Sequence, residues 1–402
     1  MSRVRADEAA ELEAIVDETL AEEAGPKKFS IYGFMDFGLQ RITTASPLFK
    51  AALPTEATSF VSGNNNIYLE IHPDTQWRAL IETRLSMLPQ GSYQFESLGT
   101  AKRIDNRIID ATSPSGRNNV EIGGLIIERA FLEWMYNDYL TIRAGRFFTP
   151  WGIWNVDHGT PTLIALMLPT FLVQDAIPQR QTGLELLGRY NAPPWQVAYS
   201  VTVANGRTPT LFDTTDGKAL GARTVLRRQG ALSFAGGLSL YHGDYQDEQK
   251  VLGIDSSANV TLSKQTIVAY DEDSVGLDLS IDYGGWRLRT ETMARRVLYV
   301  DGKRESSPNL RGTTPDRMEY YFDAIAAYRW TSHLEPYLYY AYTDTGKRLN
   351  VIESGQTVSG GLNVYLNPSV QLKMQYARSS FENFLPERNV TNLWMSRLVM
   401  AF

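Results

Sequence analysis

The sequence predicts an all-β fold, namely a closed 16-stranded antiparallel transmembrane β-barrel preceded by a short N-terminal α-helix. Three observations lead to this prediction. Sixteen segments alternate apolar and polar residues with the period of a β-strand. The connections between these segments alternate long and short along the chain, and most tryptophans lie beside the short ones. These features are typical of barrels whose strands cross a bilayer.

The first 27 residues differ in composition from the rest, which predicts an N-terminal segment (1–27) followed by the barrel (28–402). Ala6–Ala24 is rich in Ala, Glu and Leu, and Gly25-Pro26 ends it. Its apolar residues at heptad spacing favour an acidic amphipathic helix or a short coiled coil. A solvated helix or a frayed tail is the alternative, because two heptads are marginal alone. The direction of the first and last strands places this segment on the periplasmic side.

The strand pattern is clearest in Trp195–Val203, where Trp, Val and Tyr occupy one face and small or polar residues occupy the other. A strand with two such faces lies between two different environments. The predicted strands are residues 29–42, 64–72, 77–87, 122–136, 139–148, 181–190, 195–204, 218–228, 231–242, 270–282, 286–300, 316–330, 334–344, 354–366, 369–379 and 391–402. A soluble sandwich has no reason to keep every short turn at one end, whereas a membrane barrel does.

Aromatic residues gather at the predicted short-turn end. Trp77, Trp195 and Trp286 each begin a strand just after a short turn, while Trp134 and Trp330 each end one just before such a turn. Aromatic side chains in this position form a girdle at a membrane–water interface. Ordinary aromatic filling of strands is the alternative, and the clustering at one end disfavours it.

The face opposite the apolar one carries charged residues within the strands. Unpaired charges are prohibitive in a dry core, but a 16-stranded barrel is wide enough to hold an aqueous lumen. Guanidinium groups facing carboxylates across such a lumen would filter ions. The alternative is that the arginines pair locally with glutamates and only make the wall rigid. The candidate pore-lining residues are Arg78, Arg84, Arg129, Arg143, Arg189, Arg223, Arg287, Arg289, Glu82, Glu133 and Glu291.

Two segments carry a resemblance to a known family. The hairpin formed by Ile127–Trp134 and Leu140–Gly152 resembles the hairpin before the third loop in phosphate-selective (porin O/P-like) outer-membrane porins. The last strand, Leu393–Phe402, resembles the terminal strand of outer-membrane barrels and ends in an aromatic residue. The resemblance implies an outer-membrane location, a homotrimer, contact with membrane lipid and lipopolysaccharide, and passive diffusion of small hydrophilic solutes or ions. It also implies that the barrel-assembly machinery recognises the aromatic C-terminus.

In porins the third loop folds inward and narrows the channel, and the resemblance assigns this role to residues 149–180. The stretch Leu163–Leu172 is unusually apolar and would favour aggregation if it were exposed to water. It is therefore expected to pack against the inner wall, a neighbouring subunit or bound lipid. Constriction and subunit contact remain equal alternatives. Asp157 and Asp175 would supply the acidic side of a constriction.

Composition disfavours several other functions. The chain has no cysteine, a net charge of −6 and only four scattered histidines, so a metal site, a cofactor and nucleic-acid binding are not expected. Residues 1–20 lack the apolar segment of a signal peptide, so the chain is cytosolic or a signal has been removed. His158 beside Asp157 is the one candidate acid–base pair, and we expect no enzyme. The second functional hypothesis is a structural barrel that anchors a periplasmic partner through residues 1–27.

Overall fold

The structure, a computed structural model, describes residues 28–46, 50, 56–89, 93–96, 100–103, 120–156, 159–207, 215, 217–254, 260–304, 315–346, 354–382 and 389–402. The predicted N-terminal helix in residues 1–27 lies outside the described residues and stays a prediction. Among the described residues, no helix has the length and apolar character needed to cross a bilayer.

Eighteen strands are present in the described part of the chain. They are β1 (Phe29–Thr44), β2 (Thr58–Ile71), β3 (Trp77–Pro89), β4 (Tyr93–Glu96), β5 (Thr100–Arg103), β6 (Val120–Asn137), β7 (Leu140–Phe148), β8 (Arg180–Ala192), β9 (Trp195–Ala204), β10 (Ala219–Arg228), β11 (Leu232–Ile254), β12 (Val260–Tyr283), β13 (Trp286–Tyr299), β14 (Arg317–Tyr328), β15 (Leu334–Asp344), β16 (Ser354–Asn367), β17 (Val370–Glu382) and β18 (Asn389–Ala401). Sixteen of them form one closed antiparallel barrel, while β4 and β5 pair only with each other. The predicted closed 16-stranded antiparallel barrel is confirmed.

The barrel closes between its first and last strands. β1 pairs with β18 from Phe34 opposite Ala401 to Thr44 opposite Thr391. The backbones of Gly33 and the final residue, Phe402, exchange two hydrogen bonds of 2.9 Å. Closure therefore leaves no edge strand with unpaired backbone groups, as a barrel in lipid requires.

Short polar side chains and glycines shape the tight turns. The Asp74 carboxylate accepts hydrogen bonds from the amides two and three residues later, at 2.8 and 2.9 Å. Asn137 and Asn367 each accept one from the amide two residues later, at 2.9 Å. Gly284 and Gly285 both adopt positive φ, at 56° and 89°, which a two-residue hairpin turn favours. These local bonds keep the turns short, and all seven short turns lie at the same end of the barrel.

The outer wall is apolar and carries an aromatic girdle at the short-turn end. Trp77 packs against Trp134 with ring centroids 6.3 Å apart, and Trp286 packs against Tyr328 at 4.9 Å. Large apolar side chains remain exposed along the strands above the girdle, as expected of a surface that contacts lipid. Examples are Leu184, Leu186, Leu238, Leu240, Leu277, Leu338 and Val358.

The structure differs from the predicted strands in three places, the first being β2, which begins at Thr58 rather than at residue 64. β11 and β12 continue as a paired hairpin to Ile254 and Val260, although the sequence predicted ends near residues 242 and 270. The extension mixes polar and apolar residues on both faces, so it lacks the alternation used for prediction, but backbone pairing needs no regular alternation outside a bilayer. The small β4–β5 sheet lies within a segment interpreted as a long loop.

Candidate pore and inward loop

The segment between β7 and β8 folds into the barrel, and we call its described residues, 149–156 and 159–179, the inward loop. Its two ends meet where the Thr149 amide donates to the Gln179 carbonyl at 3.0 Å. The Asn155 side-chain amide donates to the backbone carbonyls of Thr149, at 2.7 Å, and Gln179, at 3.1 Å. A four-residue helix, α1 (Thr170–Val173), lies in the second half of the inward loop. The closed neck makes the loop a compact unit that enters and leaves the wall at one place.

Apolar packing attaches the inward loop to the inner wall. Phe171, within α1, is 1% exposed and meets the Tyr321 ring on β14 edge-on, with centroids 6.4 Å apart. The loop and the strands from β10 to β15 contribute to one buried cluster, which accounts for the apolar sequence noted above. The loop members are Trp151, Trp154, Leu163, Ile164, Ala165, Phe171, Leu172, Ala176 and Ile177. The wall members are Ala219, Tyr241, Met293, Tyr321, Ile325, Ala327, Tyr337, Tyr339 and Ala341.

Polar side chains of β16 and β17 bind the backbone of the inward loop, and we call Asn363, Lys373 and Gln375 the polar seat. The Lys373 ammonium donates to the carbonyls of Pro161, at 3.4 Å, and Leu163. The Asn363 amide donates to the next carbonyl along the loop at 3.0 Å. The Gln375 side-chain oxygen accepts from the two amides that follow Ala165, at 2.7 and 3.0 Å. The seat thus satisfies backbone groups that would otherwise be buried without partners.

Further contacts hold the inward loop on other strands. The Ile153 amide donates to the Glu291 carboxylate on β13 at 3.0 Å. Gly152 adopts a φ of 54°, and a Cβ there would collide with the same carboxylate. The Thr160 hydroxyl donates to Asp36 on β1 at 2.7 Å. The inward loop therefore crosses the bore from β7 and β8 to strands on the far side.

The opposite part of the wall carries ion pairs, and we call the inner face of β3, β6, β7 and β8 the charged wall. Arg143 bridges Glu133, at 2.7 Å, and Glu185, at 2.6 Å. Arg129 binds Glu82 at 2.6 Å. The arginines remain partly accessible, since the Arg143 side chain is 20% exposed, whereas the three glutamates are buried beneath them. The arginines of the charged wall therefore contact water, and the glutamates hold them in place.

A β-bulge in β6 adds a further carboxylate to the charged wall. Glu82 faces Arg129, but the next residue of β3 faces Ile127, so Glu128 is the extra residue of the bulge. Glu128 is fully buried and binds Arg84 at 2.9 Å, and it also binds Arg180. Strict alternation would have turned Glu128 outward, which is why the sequence did not identify it.

Aromatic rings fix the arginines of the charged wall in place. The Arg143 guanidinium lies 4.5 Å from the centroid of the Phe131 ring. Arg129 lies 4.9 Å from that of Phe148 and 5.7 Å from that of Tyr68. Stacking and charge pairing together restrict the rotamers of these side chains. The charged wall is therefore a fixed pattern of charge rather than a set of mobile side chains.

A second group of arginines surrounds a cavity of about 230 Å³ between the inward loop and strands β10 to β13. Arg223 binds Asp278 through two hydrogen bonds, at 2.6 and 3.1 Å. Arg289 binds Asp282 at 2.7 and 2.9 Å. Arg287, also on this cavity, donates to both oxygens of Glu335 on β15 at 3.2 Å. These three predicted residues thus line space below the loop on the short-turn side.

The remaining predicted site residues have different surroundings. Arg78, on the charged wall, binds Glu70 and lies 3.7 Å from Glu133. Arg189 lies at the short-turn rim, largely exposed, 3.6 Å from Asp138. Glu291 is buried beneath the inward loop rather than on the open bore. Asp175 is exposed and accepts a hydrogen bond from Gln179 at 2.9 Å.

Two residues weighed in the sequence, Asp157 and His158, lie outside the described residues, so their roles stay predictions. Within the described ranges, no three His, Asp or Glu side chains are grouped so that they could hold a metal ion. The polar seat was not identified from the sequence. The signal that could have indicated it is that Lys373 and Gln375 lie two positions apart in a predicted strand and therefore share one face.

No family model matches the sequence, and no curated protein matches it. Solved structures do match. The anion-selective porin from Comamonas acidovorans has a TM-score of 0.57 at 12% identity, over 93% of this chain and 99% of that one. The outer membrane channel DcaP of Acinetobacter baumannii has a TM-score of 0.54 at 12% identity, over 93% and 97%. The trimer form of OmpT, an outer membrane protein of Vibrio cholerae, has a TM-score of 0.53 at 11% identity, over 93% and 99%. The chain shares the fold of these outer-membrane barrels.

Proposed function

We propose that the protein is an outer-membrane porin through which small hydrophilic solutes or ions diffuse passively. The bore runs along the charged wall and is narrowed by the inward loop. The observation that carries the proposal is that the loop packs its apolar residues on one side of the lumen while inward arginines on the other side stay partly accessible to water. A structural barrel without a conducting role has no need for an accessible charged inner face.

The location and the assembly belong to the same proposal. The aromatic girdle and the exposed apolar outer wall support a position in a membrane. The similar structures are described as a porin, an outer membrane channel and an outer membrane protein in a trimer form. We therefore expect a homotrimer in the outer membrane, with three bores that conduct independently.

Single-channel recording in planar bilayers tests this function. Because the chain has no cysteine, one introduced thiol can report on the lumen. Arg84→Cys places a thiol on the charged wall, where the native side chain is 24% exposed. A charged, water-soluble methanethiosulfonate reagent should reduce the conductance of this variant in three equal steps, one for each bore.

Leu186→Cys is the matched control, because Leu186 is exposed on the outer wall of β8, where lipid would cover it. The reagent should leave its conductance unchanged. A wild-type protein that inserts into the bilayer without conducting would contradict the porin function. Equal modification of the two variants would contradict the assigned inner and outer faces.

A further inference from the structure

Three charged or titratable side chains form a row on the outer wall, outside the pore. His242 on β11 is paired in register with Asp273 on β12, which is paired with Arg296 on β13. His242 Nδ1 lies 2.8 Å from one Asp273 oxygen, while Arg296 donates to the other from Nε at 3.1 Å and from Nη2 at 2.6 Å. All three side chains are substantially exposed. The carboxylate thus orients both neighbouring groups.

The height of this row places it at the edge of the apolar band. His242 lies ten residues beyond Leu232, where β11 begins, and Arg296 lies ten residues beyond Trp286 in the girdle. Ten residues of a tilted strand rise about 25 Å, which is the height of the apolar band of such barrels. Charged groups in the hydrocarbon itself would be strongly unfavourable. The row therefore lies at the level of lipid headgroups on the long-loop side.

A groove of about 630 Å³ opens directly below the row. Ala222 and Ala294 are the small residues of its lining and lie between larger apolar side chains. The apolar lining comes from strands β9 to β14. Its larger members are Val201, Leu220, Leu240, Val275 and Met318.

We infer that this groove and row form a binding site for lipopolysaccharide, with an acyl chain in the groove and a headgroup phosphate beside Arg296. Within the described residues, Nη1 of Arg296 and Nε2 of His242 have no hydrogen-bond partner. A guanidinium held in position by a carboxylate is well suited to bind phosphate. His242 adds a second polar nitrogen, Nε2, because its Nδ1 is already bound to Asp273.

The neighbouring charges fix the side from which the phosphate approaches. Asp244 and Asp271 are paired in register, two positions farther along their strands from the short turns. Their carboxylates repel a phosphate from above the row. The favourable position for the phosphate is therefore beside Arg296, on the side of Met318. The acyl chain of the lipid is then directed toward the aromatic girdle. A headgroup at the outer rim belongs to the outer leaflet, where lipopolysaccharide is the phosphorylated lipid.

The inference depends on the membrane location in the proposed function but not on conduction, so it is tested by lipid binding. The full-length protein is stripped of lipid in detergent and incubated with purified lipopolysaccharide or with phosphatidylglycerol, in the presence of a chelator. Native mass spectrometry then counts the lipids retained per chain. The double variant His242→Gln/Arg296→Gln should retain lipopolysaccharide about tenfold more weakly, since it loses charge-assisted hydrogen bonds to phosphate.

Two further variants separate charge from shape. Ala294→Phe fills the groove without changing charge, and it should weaken retention to a similar degree. Arg41→Gln removes an exposed arginine from β1, on the opposite side of the barrel, and it should retain lipopolysaccharide like the wild type. The conductance of all three variants should match that of the wild type, so a failure of this site is distinguishable from a failure of the pore.

Three results would overturn the inference. The first is unchanged retention of lipopolysaccharide in both the charge and the groove variants. The second is stronger retention of phosphatidylglycerol than of lipopolysaccharide, which would assign the groove to a phospholipid. The third is a change in oligomeric state without a change in lipid count, which would make the row a contact between subunits.

Discussion

The two sides of the inner wall differ in how they use polar residues. On the charged wall, arginines and glutamates bind each other; Arg143, for example, lies between Glu133 and Glu185. On the opposite side, which we call the covered wall (β13 to β17), polar groups bind the backbone of the inward loop, and apolar residues pack against its side chains. The same barrel thus holds a water-facing surface and a packed core side by side.

This difference shows why the loop occupies one side of the bore. Seven of the nine buried wall residues in its apolar cluster lie on the covered wall, whereas the charged wall would leave the apolar side chains of the loop against ion pairs. Conversely, the charged wall has only a small apolar cluster of its own, formed by Leu80, Phe131, Phe147 and Ala204 among the described residues, and its arginines keep partial contact with water. The position of the bore therefore follows from where the loop packs.

The largest expected effect comes from Phe171→Ala, which removes the main apolar contact between the loop and β14. Loss of a buried phenyl ring costs about 3–5 kcal/mol. We expect a loosened loop, with a higher and more fluctuating single-channel conductance. Val173→Ala is the control, because Val173 is 68% exposed in the same helix and should change little. Equal effects of the two variants would contradict the packing role of Phe171.

Lys373→Met tests the polar seat and should have the next largest effect. It leaves the carbonyls of Pro161 and Leu163 without this donor, at a cost of about 1–3 kcal/mol for each unsatisfied group. Open-channel noise should rise and the thermal unfolding temperature should fall. Arg378→Met, an exposed position on the same strand, should alter neither quantity. Normal noise in Lys373→Met would show that the loop does not need the seat.

Arg143→Gln tests the charged wall rather than the loop. It removes a positive charge between two carboxylates, so the reversal potential in a salt gradient should shift toward cation preference. Screening should make the shift clear at 0.1 M salt, where the Debye length is about 10 Å, and small near 1 M, where it is about 3 Å. Arg189→Gln at the exposed rim should shift the potential much less. Equal shifts would place the selective charges at the rim.

Glu291→Gln should have the smallest effect. It tests whether a charge on the covered wall influences ion preference as a charge on the charged wall does. Glutamine keeps an oxygen that accepts from the Ile153 amide, so the inward loop should stay in place. Because Glu291 is buried under the loop, its charge should contribute little to ion preference. Conductance and reversal potential should both match the wild type. A shift as large as that of Arg143→Gln would show that Glu291 faces the bore.

Much of the barrel could be predicted from local pattern, whereas the loop contacts could not. The alternation in Trp195–Val203 predicts β9 almost residue for residue, because the period of a strand is a local property. The bulge at Glu128 breaks that period, and only the pairing of β3 with β6 shows it. Similarly, Phe171 and Tyr321 are 150 positions apart in sequence, and no local pattern relates them.

The sequence by itself determined the number of barrel strands, the end that holds the short turns, and the inward face that carries most of the strand charge, apart from the bulge at Glu128. These follow from period and turn chemistry, which act over a few residues. Only the tertiary structure decided where the inward loop packs, which glutamates bind arginines, and that Lys373 binds the loop backbone. These depend on barrel closure, because closure alone brings β17 and the segment after β7 to the same place in the bore.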